Sequence, residues 1–343
     1  MRNENKKILK SGICLVILLV LNIITTILIL FDIEWYITYV FVLSSIIIMS
    51  ILIFFELKIN NDISLIKKKM KKAQKLMRKN RDASILYKVL DEECLPLIRS
   101  YLPKKIYKYY TLNDIEEFNS KRINSLREKC VFGSIASSFN DPFEGKYVFM
   151  TEEDLSKLGA PVETKQIWET VISAISEHIT TICFTQNPND MPMWAHYANE
   201  HQGFCVEYEI INNSNFYPVI YVDNRLKSIS LFIELFYALL DEKATNEDKH
   251  IVLRYIMFLN SFKDSSWNSE NEIRAIFLNT KQALNVNGKL YTFDEIGIKP
   301  TKLFIGACCS DKNKEELMSV AKNLNIEYEQ CFMKENEKFS VIS

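Results

Sequence analysis

Two uncharged apolar runs near the start of the chain constrain its folding more than any other feature. Ser11 to Phe31 carry no charged side chain and are dominated by Leu, Ile and Val. After Asp32 and Glu34, Trp35 to Phe55 are again uncharged. Each run is about twenty residues, which at roughly 1.5 Å per residue crosses a hydrocarbon core of about 30 Å as a helix. An open strand in lipid leaves its backbone amides and carbonyls without partners, so helix is the expected form. Trp35 and Tyr36 suit the membrane interface beside the short Asp32-Ile33-Glu34 turn.

The flanks set an orientation. Arg2, Lys6, Lys7 and Lys10 precede the first run, and a denser basic set from Lys67 to Arg81 follows the second. Positive charge at both outer ends, with acid in the turn, predicts that both ends face the cytosol. The first run is long for the apolar part of a signal peptide, lacks a small-residue cleavage site and is followed at once by another span. The expectation is a two-pass protein of the cytoplasmic membrane, with the lipid bilayer as a partner and the remaining chain cytosolic. Residues 1–10 are then a basic terminus, 11–55 a transmembrane hairpin, 56–104 a basic helical stalk and 105–343 an α+β domain.

Composition narrows the function classes further. With 42 basic and 43 acidic residues the net charge is −1, so nothing argues for nucleic acid as a partner of the whole chain. The basic stretch after the second run reads as a linker facing anionic lipid. Eight cysteines include no C-x-x-C pair, and adjacent Cys308 and Cys309 lack the spacing of a zinc knuckle. They read as small hydrophobes in a reducing compartment.

Beyond Pro103, short strands alternate with helices. Lys105–Tyr110 and Cys130–Ala136 read as strands flanking a helix that Asn113 or Asp114 caps. A helix near 165–178 leads into a strand at Thr180–Thr185. Asp190 with Pro192 starts a helix predicted to run to His201, since proline fits the first helical turn. Phe204–Ile210 alternates as a strand does. Helices near 226–240 and 246–262, strands near 270–278, 289–293 and 303–308, a helix capped by Ser310 and two last strands complete the order. The fold class is α+β, with a mixed or mostly antiparallel sheet and flanking helices.

Three segments concentrate polar and aromatic side chains. In Phe139-Asn140-Asp141-Pro142-Phe143-Glu144, the Asn-Asp-Pro sequence favours a turn, because the residue before proline leaves the α region and Asx side chains bond local amides. Asn140, Asp141 and Glu144 are candidate binding residues; a well-made turn is the plain alternative. In Met193–Gly203 a continuous helix puts His196 and Glu200, and likewise Tyr197 and His201, on shared faces. His196 is the catalytic candidate here, and Trp194, Tyr197 and His201 are binding candidates. Core packing of the same side chains is the alternative. The two histidines are five apart, a poor metal pair, and no metal ligand is assigned.

In the third segment, Glu270-Asn271-Glu272-Ile273-Arg274, a strand sends Glu270, Glu272 and Arg274 to one face. Paired carboxylates raise each other's pKa and a neighbouring arginine lowers it, which suits acid–base work or a bond to a sugar hydroxyl. An ion-pair ladder on the surface is the alternative.

Tyr107-Lys108-Tyr109, then FNDPFE, CFT, MWAHYANEHQG and W-x-x-E-x-E-x-R resemble, in that order, an uncharacterised bacterial family called domain of unknown function 2971. The resemblance runs from about Lys105 to the C-terminus. A looser resemblance is to ADP-ribosyltransferases, whose split sheet holds NAD in a cleft. Their first strand reads Tyr-His-Tyr or Tyr-His-Phe, matched here by Tyr107-Lys108-Tyr109 with lysine in the histidine place. Their last catalytic element is Glu-x-Glu in one class, matched by Glu270 and Glu272. The resemblance implies NAD or another nucleotide-containing molecule as substrate, with no resident cofactor. It gives Glu272 the bond to the nicotinamide ribose and Glu270 the orientation of the acceptor; Tyr109 and Arg274 are binding candidates beside them. The implied protein is a membrane-anchored effector of anti-phage or toxin type. Two alternatives stand beside it: a ligand-sensing domain without turnover, and a metal-dependent hydrolase or nuclease using Asp141, Glu144 and His196.

Overall fold

The computed structural model describes scattered positions between 62 and 88, residues 89–141, 143–144, scattered positions from 156 to 176, and residues 177–223, 257–258, 260–279, 287–333 and 341–342. Both expected membrane spans and the helix expected near 226–240 lie outside them. Among the described residues no helix is long and apolar enough to cross a membrane. Contacts divide the chain into two units, Met1–Lys72 and Ala73–Ser343, and every element named below belongs to the second.

A π-helical turn at Val89–Cys94 runs into helix α1 (Leu95–Arg99). The order continues β1 (Lys105–Tyr110), α2 (Glu116–Arg127), β2 (Cys130–Ile135), β3 (Ile179–Thr185), α3 (Met191–Tyr197), β4 (Phe204–Ile210), β5 (Phe216–Pro218), β6 (Ile220–Val222) and β7 (Phe262–Asp264). Then come β8 (Glu272–Leu278), β9 (Gly288–Thr292), α4 (Phe293–Ile296), β10 (Ile298–Ile305), α5 (Asp311–Leu324), β11 (Glu327–Gln330), β12 (Phe332–Met333) and β13 (Val341–Ile342). The main sheet has nine strands, running β11-β10-β4-β1-β3-β2-β9, with β8 also on β3 and β5 on β8. All its pairings are antiparallel except β10 with β11, so the expected α+β class with a mostly antiparallel sheet is what forms.

Period-two alternation explains the layering. Ile106 and Tyr110 of β1, Ile182 and Phe184 of β3, Phe204, Val206 and Tyr208 of β4, and Ile273 and Ala275 of β8 join one buried cluster. Ile123 and Leu126 of α2 and Leu317, Val320 and Ala321 of α5 cap that face. Ser310 starts α5 as read from the sequence, accepting from the Asn313 amide. On the opposite face Tyr109, Trp194, Ala198, Cys205, Phe304 and Cys331 form a smaller cluster.

Arg99 of α1 fastens the approach to this domain. Its Nε donates to the Phe216 carbonyl at 3.3 Å, and its guanidinium lies 5.1 Å from the Tyr217 ring centre.

Two local expectations are corrected. Asp190 caps α3 by accepting from the Met193 amide, but the helix stops at Tyr197 rather than running to His201. Asn199, Glu200 and His201 all have positive φ, at 47°, 51° and 67°, a run that non-glycine residues rarely adopt. The strand expected from Glu270 begins at Glu272 instead. Ser265–Glu270 is a 3-10 helix capped by Asp264, and Asn271 leaves it in the left-handed region at φ 44°.

Candidate functional site

The site lies where the main sheet comes apart. β3 pairs with β8 along its whole length, from Ile179 opposite Leu278 to Thr185 opposite Glu272. On its other edge it meets β2 only at Thr180 and Thr181, and β1 only at Thr185. Ile182, Cys183 and Phe184 therefore face a split between β1 and β2. A cavity of about 180 Å³ opens there. Tyr107, Tyr109, Phe132, Phe139, Phe184 and Tyr197 give it aromatic walls, and Glu270, Glu272 and Lys263 form its charged end.

That end is a chain of ion pairs. Arg274, 1 % exposed, donates from Nε to Glu272 Oε1 at 2.8 Å and grips Glu144 with both terminal nitrogens at 2.6 and 2.9 Å. Lys263 of β7 reaches Glu272 at 3.0 Å and Glu270 at 2.5 Å, and lies 4.8 Å from the Trp267 ring centre. The Tyr197 hydroxyl donates to the remaining Glu270 oxygen at 2.5 Å. Glu270 is held from behind as well, because the Thr185 hydroxyl donates to its carbonyl at 2.7 Å. Its carboxylate thus reaches the Glu272 cluster although Glu270 stands in the 3-10 turn.

Burial and pairing compete for each charge. Burial alone would raise the Glu272 carboxyl, but Arg274 and Lys263 outweigh it and hold the group down at about 2. Lys263 is raised above its ordinary value, its burial overcome by Glu272 and Glu270. Glu144 goes the other way: burial lifts it above the usual carboxylate range, even against Arg274, whose charge Glu272 shares. Burial, then Glu270, raises the Tyr197 phenol.

An ionised carboxylate offers about four acceptor positions. Two bonds from Arg274, one from Lys263 and the Cys183 thiol occupy those of Glu272. Among the described residues Glu270 takes only Tyr197 and Lys263 on its carboxylate. Glu270 is therefore the carboxylate with room for a ligand.

The other candidates separate into three groups. Tyr109 lines the cavity while its hydroxyl donates to the Asn187 carbonyl at 3.0 Å. Asp141 is buried and accepts from the Phe143 amide at 2.9 Å, the expected Asx turn, and this turn presents Glu144 to Arg274. Asn140 is exposed and outside the cavity lining.

Trp194 is fully buried, donates to the Pro188 carbonyl at 2.8 Å, meets Tyr109 edge-on and stacks on His201. Both Trp194 and His201 thus lie behind the cavity wall, and burial lowers the His201 pKa. His196 is exposed and does not line the cavity. The i, i+4 pairing expected for His196 with Glu200 fails because α3 ends before Glu200. Among the described residues no group of three side chains is placed to hold a metal ion.

Sequence reasoning missed Lys263, which falls at the end of a presumed helix. A signal was present: two glutamates and one arginine in the Glu270–Arg274 segment leave a carboxylate needing a cation. Lys108, noted only as a departure, alternates with Tyr107 and Tyr109 and so rises from the core side. Its amine reaches the split and donates to the Cys183 carbonyl at 3.3 Å.

The fold and site define an α+β domain with an aromatic cleft cut through an antiparallel sheet and a buried carboxylate cluster at one end. Residues 193–275 match the model of a family described as Protein of unknown function (DUF2971). That stretch carries Tyr197, Lys263, Glu270, Glu272 and Arg274. No curated protein matches the chain, and no solved structure does.

Proposed function

We propose that the cleft binds a nucleotide-containing substrate of the NAD type and promotes cleavage or transfer at its N-glycosidic bond. As the base leaves, positive charge grows on the ribose C1′ and ring oxygen, and a fixed negative charge nearby lowers that barrier. The observation that carries the reading is the buried Glu272 carboxylate, paired with Arg274 and Lys263, at the charged end of an aromatic-walled cavity. Glu270, with acceptor positions open, suits the bond to a ribose hydroxyl, which reverses the roles the resemblance implied. The apolar runs at 11–31 and 35–55 would hold this chemistry at a bilayer, as in a membrane-anchored effector.

The test is product formation from NAD by the full chain, followed by mass spectrometry. Glu270→Gln and Glu272→Gln are each expected to lower the rate about a hundredfold. Wild-type protein that releases no product, or a Glu270→Gln variant at full rate, would refute it. Retention in membranes after carbonate washing, lost on deleting residues 1–55, tests the anchor.

One observation favours a second reading, a sensor without turnover: Glu272 is saturated by protein donors before any ligand arrives. Saturable NAD binding with no product would select it.

A further inference from the structure

One amine in the cleft stands outside the carboxylate cluster. Lys108 leaves β1 on the core face, between Ile106 and Tyr110, which both join the main apolar cluster. It lines the cavity all the same. Its amine gives one bond, to the Cys183 carbonyl at 3.3 Å, on the stretch of β3 that neither β1 nor β2 covers. Its other neighbours are rings, with the Tyr110 centre at 5.5 Å and that of Phe184 at 6.0 Å. Among the described residues no carboxylate forms an ion pair with it, whereas Lys263, in the same cavity, has two.

That contrast decides what each amine can do. Lys263 is raised and stays an ammonium, with no lone pair to give. Around Lys108 burial is the largest influence and Arg122 adds to it; together they lower the amine although Cys183 and Glu272 oppose them. A desolvated lysine near a second cation, without a carboxylate partner, is the arrangement that makes an amine nucleophilic. Cys183 also joins this amine to the carboxylate cluster, since its carbonyl holds Lys108 and its thiol bonds Glu272. We infer that Lys108 is a nucleophile that condenses with an aldehyde, and that the aldehyde is C1 of an aldose in its open-chain form. The neutral amine adds to the carbonyl carbon, forming the C–N bond while the carbonyl oxygen takes up a proton. The carbinolamine then loses that oxygen as water and leaves a protonated imine. Ammonium and aldehyde thus give iminium and water, with charge conserved and nothing oxidised or reduced.

The choice of an aldose rests on the proposed reading, because cleavage at ribose C1′ leaves a sugar whose open form carries its aldehyde there. The amine is testable by itself. The full chain in detergent micelles is incubated at pH 7 with D-glyceraldehyde and sodium cyanoborohydride, which reduces an imine to a stable secondary amine. Peptide mass spectrometry then maps the adducts. Lys108 should be labelled at least about tenfold faster than in the same chain unfolded in urea, and faster than the exposed Lys299. D-ribose should label the same residue. A lysine that only props the Cys183 carbonyl would be shielded by the fold and react more slowly than in urea. Labelling no faster in the folded chain than in urea, or glyceraldehyde labelling that D-ribose does not reproduce, would overturn the assignment. Labelling of Lys108 by both sugars in a protein that leaves NAD intact would sink the catalytic proposal and leave this one standing.

Discussion

Replacing Arg274 by methionine isolates the ion network from the rest of the fold. The guanidinium is 1 % exposed and serves Glu144 and Glu272, whose side chains are 3 % and 5 % exposed. Methionine fills much of the same space, so the dominant loss is electrostatic: among the described residues two buried carboxylates keep Lys263, and for Glu272 also Lys108, as nearby cations. Breaking a buried pair from one side costs about 3–5 kcal/mol, because the remaining charge stays desolvated. For a unit of roughly 270 residues this lowers the melting temperature by about 6–10 °C.

The distinguishing outcome is the second step. Glu144→Gln alone should destabilise, since it leaves Arg274 with one carboxylate partner, Glu272, beside its bond to the Asn260 carbonyl. Added to Arg274→Met, it should restore about 1–3 kcal/mol by removing an unpaired charge. Melting of the full chain in micelles, followed by tryptophan fluorescence, measures all four corners of the cycle. A cost below about 1 kcal/mol for Arg274→Met, or additive losses in the double variant, would refute the network as the fastening between the Asp141–Glu144 turn and β8.

Acid should unfold the domain through Glu272. Its folded pKa of about 2 lies below the ordinary 4.5, so its contribution is present above 4.5 and disappears as pH falls toward 2. The amount is about 3 kcal/mol, and the slope of stability against pH in this window should flatten in Glu272→Gln. Gly203→Ala should abolish folding, read as loss of the cooperative melt, because the new methyl carbon would stand 2.0 Å from the Tyr110 carbonyl oxygen. Asn199→Ala should cost about 1–3 kcal/mol, and Asn199→Gly less, since both lose the bond to the Leu112 carbonyl but only alanine keeps the positive-φ penalty. Denaturant midpoints in the reverse order would contradict that explanation.

What was legible in the sequence was local. Asp190 with Pro192, and Ser310 before α5, announce helix starts because a cap is decided by a few neighbouring residues. The strand alternation in 204–210 and 105–110 survives for the same reason. The end of α3 was not legible, because Asn199, Glu200 and His201 hold positive φ through distant bonds. The Asn199 side chain reaches the Leu112 carbonyl, and the Cys308 amide reaches that of His201. In the site, Glu270, Glu272 and Arg274 were recognisable as a charged set. Their cation Lys263 and the turn that brings Glu144 were not, because those pairs exist only once β7, β8 and the Asp141 turn are folded together. His196 drew notice through its residue type, yet it sits on the exposed side of α3.

The gap in the sheet has a mechanical side. On the cleft edge, β3 alone joins the β1–β4–β10–β11 strands to the β2–β9 pair. A continuous ladder would set the angle between these two groups; here a short bare stretch of one strand sets it. The width of the cleft is therefore fixed by the twist of β3 at Ile182–Phe184, where its ladder with β8 is the strand pairing that remains. Lys108 ties β1 to that stretch through the Cys183 carbonyl.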